Sequence, residues 1–432
     1  MLLLTLICLP LLAAPDSQAS EADEQAPLSE VTRIYSEELH TFSSGSAFLA
    51  AVMDADDDGH EEVLVGAPST SGAGRAELLS GRTGETLFTW EGSFDGGRLG
   101  AAVAGLGDTD GDGRGELALG APGALSGRGM VGLVHGADRE RIRWIQGAED
   151  QRSFGYALAS GRDATADGRH DLVVGAPASD GHGSVTLIDG LTGEIIWTAR
   201  PEKEEGLFGI DVALVPDLDG DARADVLVGQ RGAGAVVLSA AKGEHLFHLG
   251  EGALGTQIGG SVTVLERADA SPLLLLAATG VVGGDENEEL PDPAIFVYDA
   301  STRALAEDTS FALPYAGRHD LNLGLRLRSL GDLDGDGHDD LAICQPNGYP
   351  SMGPTGKLEV RSGASDAMLF STWWSPAGFE FSAWHCGSDA CAVRAEEGYS
   401  IAVTCPSAGG VSALRQGEKP ERVWVRLDRK RP

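Results

Sequence analysis

The sequence predicts an all-β fold, a seven-bladed β-propeller of four-stranded antiparallel blades. Three observations carry that prediction: an acidic element with a near-constant period, an apolar element following it at fixed phase, and a glycine-rich, aromatic-poor composition. The acidic element occurs five times: DADDDGHEEVLVGAP from Asp54, DTDGDGRGELALGAP from Asp108, DATADGRHDLVVGAP from Asp163, DLDGDARADVLVGQ from Asp217 and DLDGDGHDDLAICQP from Asp332. The first four begin 54, 55 and 54 residues apart. Such a fixed period is the mark of a repeat architecture.

The second element occurs seven times. It reads GRAELLSGRTGETLFTW from Gly74, GMVGLVHGADRERIRWI from Gly129, GSVTLIDGLTGEIIWTA from Gly183 and GAVVLSAAKGEHLFHL from Gly234. Three further copies are AIFVYDASTRALAEDT from Ala294, GKLEVRSGASDAMLFST from Gly356 and GGVSALRQGEKPERVWV from Gly409. In the second unit the alternation predicts strands at 101–106, 116–120, 131–135 and 141–146, each bounded by Gly, Asp or Pro. Four antiparallel strands per unit, repeated with no helix between, describe a propeller rather than a helix-bearing solenoid. Trp90, Trp144, Trp197 and Trp424 are expected at one place on strand four, packing blade against blade.

The ends read differently. Residues 1–19 have the apolar run and small-x-small exit (Ser17-Gln18-Ala19) of an export signal, so a secreted or periplasmic protein is expected. Residues 20–30 form a polar lead-in, 31–427 the propeller and 428–432 a basic tail. Both Val31–Ser36 and Arg422–Val425 have the look of a last, outer strand, and either could close the ring. After Cys8 is removed with the signal, Cys344, Cys386, Cys391 and Cys405 remain, which pair in three ways. Cys391 and Cys405 are placed to face each other across a hairpin turning at Glu396–Tyr399.

The acidic elements are built to hold hard cations. In the second unit Asp108, Asp110 and Asp112 alternate, Gly113 allows the sharp turn, and Glu116 closes the shell at the next strand. Ca²⁺ takes six to eight oxygens at 2.3–2.6 Å, whereas Mg²⁺ requires stricter octahedra. The same roles fall on Asp54, Asp56, Asp58 and Glu62, on Asp217, Asp219, Asp221 and Asp225, and on Asp332, Asp334, Asp336 and Asp340. The third loop has Asp163, Thr165, Asp167 and Asp171, where Thr165 supplies a neutral oxygen. The fourth has Ala222 at the turn position, an expected point of strain. Four to five calcium ions are therefore expected. EF-hand and dockerin loops share the opening DxDxDG but need flanking helices, and these loops run straight into strands.

Phe154-Gly155 and Phe208-Gly209, with the weaker Leu99-Gly100 and Leu323-Gly324, stand nine residues before an acidic loop. Gly66-Ala67-Pro68, Gly120-Ala121-Pro122 and Gly175-Ala176-Pro177 stand after one. This constellation resembles the FG-GAP repeats of the integrin α N-terminal propeller, over roughly residues 31–427. Units five and seven depart from it, having largely lost all three motifs. The resemblance implies a binding or adhesion module, or a cell-surface interaction protein, with no catalysis. It also implies a protein or polysaccharide ligand on the face opposite the calcium loops, where the longest insertions, 280–293 and 311–321, are expected.

Other functions fit less well. With 66 acidic against 32 basic residues and a net charge of −34, phosphate would be repelled, which excludes nucleic acid as the expected partner. No run after residue 20 is long and apolar enough for a membrane span. Motifs for a serine hydrolase, a zinc protease and a phosphate loop are absent. The TGExxxW runs at Thr83–Trp90 and Thr192–Trp197 also resemble repeats of quinone-dependent dehydrogenases, the main enzymatic alternative; a polysaccharide-acting propeller or a purely structural envelope protein are the others. His245 and His248, three apart on a predicted strand, are expected to point to opposite faces and not to share a metal.

Overall fold

A computed structural model describes residues 31–34, 48–68, 72–81, 85–202, 206–250, 256–280, 294–306, 325–333, 335–345, 356–374, 390–395, 398–403 and 423–428. Strand β1 (Val31–Ile34) comes first. The first blade is β2 (Phe48–Val52), β3 (Glu62–Ala67), β4 (Arg75–Leu79) and β5 (Thr86–Glu91). The second is β6 (Ala102–Gly107), β7 (Glu116–Ala121), β8 (Met130–Val134) and β9 (Ile142–Gln146). The third is β10 (Ala157–Ala159), β11 (Leu172–Ala176), β12 (Ser184–Ile188) and β13 (Ile195–Ala199). The fourth is β14 (Leu207–Val215), β15 (Asp225–Arg231), β16 (Gly234–Leu238) and β17 (His245–Leu249).

The fifth blade has three strands among the described residues, β18 (Thr256–Leu265), β19 (Leu273–Gly280) and β20 (Ala294–Asp299). Its outer edge is marked by a single bridge between Tyr298 and Leu305. The sixth is β21 (Arg326–Ser329), β22 (Leu341–Gln345), β23 (Gly356–Arg361) and β24 (Met368–Trp374). The last is β25 (Ala390–Ala395), β26 (Gly398–Val403) and β27 (Val423–Asp428), with β1 added outside β27. The fold is thus an all-β propeller of antiparallel blades, six of them four-stranded. Inner strands β2, β6, β10, β14, β18 and β21 neighbour one another in that order, and β25 returns to β2.

The pairing of β1 with β27 (Val31 opposite Leu427, Ile34 opposite Trp424) settles how the ends share a blade. The N-terminal strand is outermost. The segment around Arg422–Val425 is therefore no rival for that place, because β27 is the third strand. In the hairpin β25–β26, Cys391 stands opposite Ala402 rather than Cys405, which lies outside the described residues. Cys386 also lies outside them, and Cys344 is buried in β22.

The second strands of the second to fifth blades are apolar on both faces because each of these blades has an apolar core on both sides. In β7 and β11 every residue is buried. The cores consequently lie between blades. One joins Val173, Val185 and Leu187 of the third blade to Val212, Val226 and Val236 of the fourth. Others join the first to the second, the second to the third, the fourth to the fifth and the fifth to the sixth.

Between these cores the two glycine motifs meet. A Cβ on Gly120 would stand 2.2 Å from the Gly155 carbonyl oxygen, and one on Gly175 would stand 2.2 Å from that of Gly209. Gly66 meets Gly100 and Gly229 meets Gly259 in the same way. In the first four blades the glycine near the end of the second strand therefore packs backbone to backbone on a glycine at the start of the next blade. Gly155 and Gly209 also have positive φ, 87° and 81°. Phe154 and Phe208 beside them are fully buried. In the fifth unit Ile258-Gly259 occupies the Phe-Gly place, with Gly259 at φ 83° and Ile258 buried, so the motif is altered there rather than lost.

The tryptophans do not share one position. Trp90 is opposite Ala76, Trp144 opposite Gly132 and Trp197 opposite Leu187, three different rows, and Trp424 is on a third strand. Counted from Gly74, Gly129 and Gly183, the three stand at the seventeenth, sixteenth and fifteenth places of their elements, so the rows differ in the sequence itself. Trp90 and Trp197 do bridge blades, donating to the carbonyls of Arg139 (2.9 Å) and Ala240 (2.6 Å). Trp144 is 42% exposed and does not.

Gly209→Ala combines a left-handed backbone with a clash against the Ser184 carbonyl, and is expected to cost about 2–4 kcal/mol. Gly232→Ala, with similar φ and open space around it, should cost only about 1–2 kcal/mol. Urea unfolding of the two variants tests this, and equal losses would rule out the backbone contact as the source.

Candidate metal centres

Each acidic loop joins the first and second strands of its blade and has one frame. The first aspartate folds the loop over its own carboxylate. Asp108 accepts the amides of Gly111 (2.6 Å), Asp112 (3.1 Å) and Gly113 (2.9 Å). Asp54, Asp163, Asp217 and Asp332 do the same work. Wrapping the chain so tightly takes two left-handed residues, at the fourth and sixth positions. These are Asp57 and Gly59, Gly111 and Gly113, Ala166 and Gly168, Gly220 and Ala222, and Gly335 and Gly337. Ala222 sits at φ 68°, so the expected strain is present; Asp57 and Ala166 carry the same strain at the fourth position, which the sequence reading missed.

The last carboxylate is buried at the head of the second strand, and its oxygens tie two turns together. Asp171 accepts the amides of Ala164 (2.8 Å) and Gly190 (3.2 Å). Asp225 accepts those of Leu218 and Ala240, and Asp340 those of Leu333 and Gly363. Glu116 accepts Thr109 and Gly136. Gly136, Gly190, Ala240 and Gly363 lie in the turns between third and fourth strands. Those turns therefore share an end of the blade with the acidic loops.

Glu62 differs. Its Oε2 accepts the amide of Ala55 at 2.5 Å, but its fully buried Oε1 has no hydrogen-bond partner. Donor oxygens of Asp54, Asp56, Asp58 and Glu62 all lie within 4.8 Å of one another. Four carboxylates at that range repel unless a cation lies among them, and a buried oxygen without a donor is a costly arrangement. Burial pushes the Glu62 carboxyl up to about 8, with Asp56, Asp54 and Asp58 adding to the rise. Burial and the same neighbours raise Asp56 as well. An all-oxygen donor set of this kind fits a hard divalent ion.

In the second loop Asp108, Asp110 and Glu116 converge within 4.8 Å, and Asp112 instead joins Asp110 and His135. His135 was not foreseen. Its Nδ1 accepts the amides of Ala137 and Asp138, leaving the proton on Nε2, which is 2.7 Å from Asp110 Oδ2. In the fourth loop Asp217, Asp219 and Asp225 converge, without Asp221. Burial raises Asp225 to about 6, against the amides of Leu218 and Ala240. In the third loop Thr165 donates its amide to Asp171 at 2.7 Å, and Asp167 accepts the amide of Arg169. In the fifth, Asp336 accepts the hydroxyl of Ser362, and Asp334 lies outside the described residues. Arginines link neighbouring loops: Arg114 pairs with Asp57 at 2.5 Å, Arg139 donates to the Ala55 carbonyl at 2.6 Å, and Arg169 donates to that of Thr109.

The expectation for His245 and His248 is overturned. A bulge at Leu246, between the pairs His245–Leu238 and Phe247–Val237, cancels one step of the strand's alternation. Both rings lie together, with centroids 5.6 Å apart.

Residues 154–188 match the FG-GAP repeat family. Similar curated proteins include integrin alpha-PS2 of Drosophila melanogaster, 35% identical over 156 residues (30% of this chain, 11% of the relative). Integrin alpha-X of Homo sapiens is 34% identical over 173 residues (35% and 14%). Phosphatidylinositol-glycan-specific phospholipase D of Mus musculus is 34% identical over 170 residues (33% and 20%). The chain thus spans a fifth or less of these relatives' lengths. The chain is a β-propeller that carries an FG-GAP repeat and, over about a third of its length, is similar to integrin α chains. Among its described residues no helix is long and apolar enough to cross a membrane.

In this propeller the raised Glu62 makes metal-free stability depend on pH. Between the open-chain value of 4.5 and about 8, the folded protein keeps a proton that the unfolded chain has released. Metal-free stability should therefore be full below about pH 4.5 and fall as pH rises toward 8. Glu62→Gln should flatten that decline. Urea midpoints measured in chelator across this range decide it, and a wild-type midpoint that rises with pH would contradict the assignment.

Proposed function

We propose that this propeller is an exported, calcium-loaded binding module of the adhesion or cell-surface kind. The observation that carries the calcium reading is the first loop, where a buried, unpartnered glutamate oxygen closes a ring of three aspartates. Asp54, Asp56, Asp58 and Glu62 would hold one ion. Asp108, Asp110, Asp112 and Glu116 would hold a second and Asp217, Asp219, Asp221 and Asp225 a third. Asp332, Asp334, Asp336 and Asp340 would hold a fourth, and Asp163, Thr165, Asp167 and Asp171 a fifth. Bound calcium supplies positive charge where these carboxylates crowd. The chain's own residues do the rest, since the first aspartate shapes the loop and the last ties it to the turn between strands three and four.

Purified protein is expected to carry four to five calcium ions with affinities on the order of 10⁻⁴–10⁻³ M, the extracellular range. At millimolar calcium a site near 10⁻⁴ M contributes roughly 1–2 kcal/mol, so chelation should lower the melting temperature clearly. Asp110→Ala should lose one ion and keep the others. Elemental analysis finding no calcium, or chelation leaving the melting temperature unchanged, would exclude the proposal.

The binding role is supported by likeness to integrin α chains and by the construction of the disc. Acidic loops and the turns between strands three and four occupy one face. The connections from strand two to three and from blade to blade are left for the other, which we assign to a protein or polysaccharide ligand. The insertions at 280–293 and 311–321 belong to those connections; apart from Gly280, which ends β19, they lie outside the described residues. Deleting 283–290 should abolish pull-down of envelope or cell-surface material while calcium content and melting temperature hold; unchanged pull-down would count against this face. The phospholipase D relative favours a second reading, a propeller that belongs to an enzyme. Release of a headgroup from glycosylated phosphatidylinositol by purified protein would support that reading, and absorbance from a bound quinone would support a dehydrogenase instead.

A further inference from the structure

Away from the acidic loops, three side chains converge at the outer strand of the fourth blade. Glu202 lies in the connection from β13 to β14, and His245 and His248 lie on β17. Their donor atoms are all within 4.8 Å of one another. Glu202 Oε1 is 3.9 Å from His245 Nδ1, and Oε2 is 3.6 Å from His248 Nε2. The His245 side chain is only 10% exposed, and its ring lies parallel to that of the buried Phe208.

The protonation of His245 follows from its partners. Its Nε2 is 3.0 Å from the carbonyl oxygen of Arg200, which can only accept, so Nε2 carries the proton. Nδ1 then presents a lone pair. That atom is buried and has no hydrogen-bond partner. It faces the Glu202 carboxylate, itself an acceptor, at a separation too long for a proton to bridge as a hydrogen bond. Two acceptors facing each other across such a gap call for a cation between them.

We infer that Glu202, His245 and His248 form a zinc-class metal site, separate from the calcium loops, with a fourth position open to water or an added ligand. Two imidazoles and one carboxylate suit zinc, whereas calcium and magnesium favour oxygen-only shells. Zinc bonds of about 2.0–2.1 Å place tetrahedral donors roughly 3.3–3.4 Å apart, a few tenths of an ångström closer than the two Glu202–histidine separations. The Arg200 carbonyl is the outer partner that sets the tautomer and orients the ring. Bound metal would fasten the connection between the third and fourth blades to the outer strand β17.

The full chain, held in millimolar calcium to fill the acidic loops, is titrated with zinc by calorimetry and with cobalt(II) by absorbance. One equivalent of zinc and an intense tetrahedral cobalt spectrum are expected. Glu202→Gln and His248→Gln, both at half-exposed or exposed sites, should each weaken zinc on the order of 10–100-fold or more and erase the cobalt band. Calcium content and circular dichroism should remain as in the wild type. His135→Ala, in the second acidic loop, should leave the zinc isotherm unchanged. Absence of zinc binding, binding as tight in both variants as in the wild type, or loss of zinc in His135→Ala would each overturn the site.

Discussion

The structure depends on one contact, the backbone-to-backbone approach of glycines between adjacent blades. Gly120 on Gly155 and Gly175 on Gly209 leave no room for a Cβ, and that closeness brings the apolar faces of neighbouring sheets into register. The interblade cores can form only at this spacing, with Phe154 and Phe208 buried beside the contact. The second strands of the second to fifth blades become apolar on both faces as a result. The Phe-Gly and Gly-Ala-Pro motifs, far apart within one repeat, are thus two halves of one interface between successive repeats.

The acidic loops exploit that frame. Each is held at its base by a buried carboxylate bonded to its own second residue and, except for Glu62, to the neighbouring turn. The remaining carboxylates are presented at the rim at fixed separations. Arginines reach from one loop into the previous one, so the loops form a linked ring segment rather than isolated turns. Charge that would otherwise push the face apart is partly met within the protein by Arg114 and Arg139.

Much of this was legible in the sequence because the repeat keeps loop and strand in phase. The strands of the second unit lie within a residue or so of their expected bounds, and the carboxylate oxygens of Asp54, Asp56, Asp58 and Glu62 lie within 4.8 Å of one another. The failures have a common origin in irregularities that add no recognisable residue. The bulge at Leu246 brings His245 and His248 onto one side of β17. Ile258-Gly259 kept the backbone of its motif while changing the side chain. Asp57 and Ala166 adopt left-handed backbone with no glycine to announce it, held by the carboxylates of Asp54 and Asp163. His135 reaches Asp110 from a different strand, a relation that spacing along one loop cannot express.

The last blade draws strands from both ends of the described chain, with Val31 opposite Leu427. During synthesis β1 emerges early, and its partner follows only after nearly all the remaining blades. At about 5–20 residues per second this is a wait on the order of 20–80 s. Through that interval the growing disc is an open arc with a raw edge at each end, each able to recruit a strand from another chain. Closing the arc is the most non-local event in the fold and is therefore expected to be slow relative to the assembly of individual blades. A nascent propeller of this type is thus exposed to mispairing between molecules until β27 has been made.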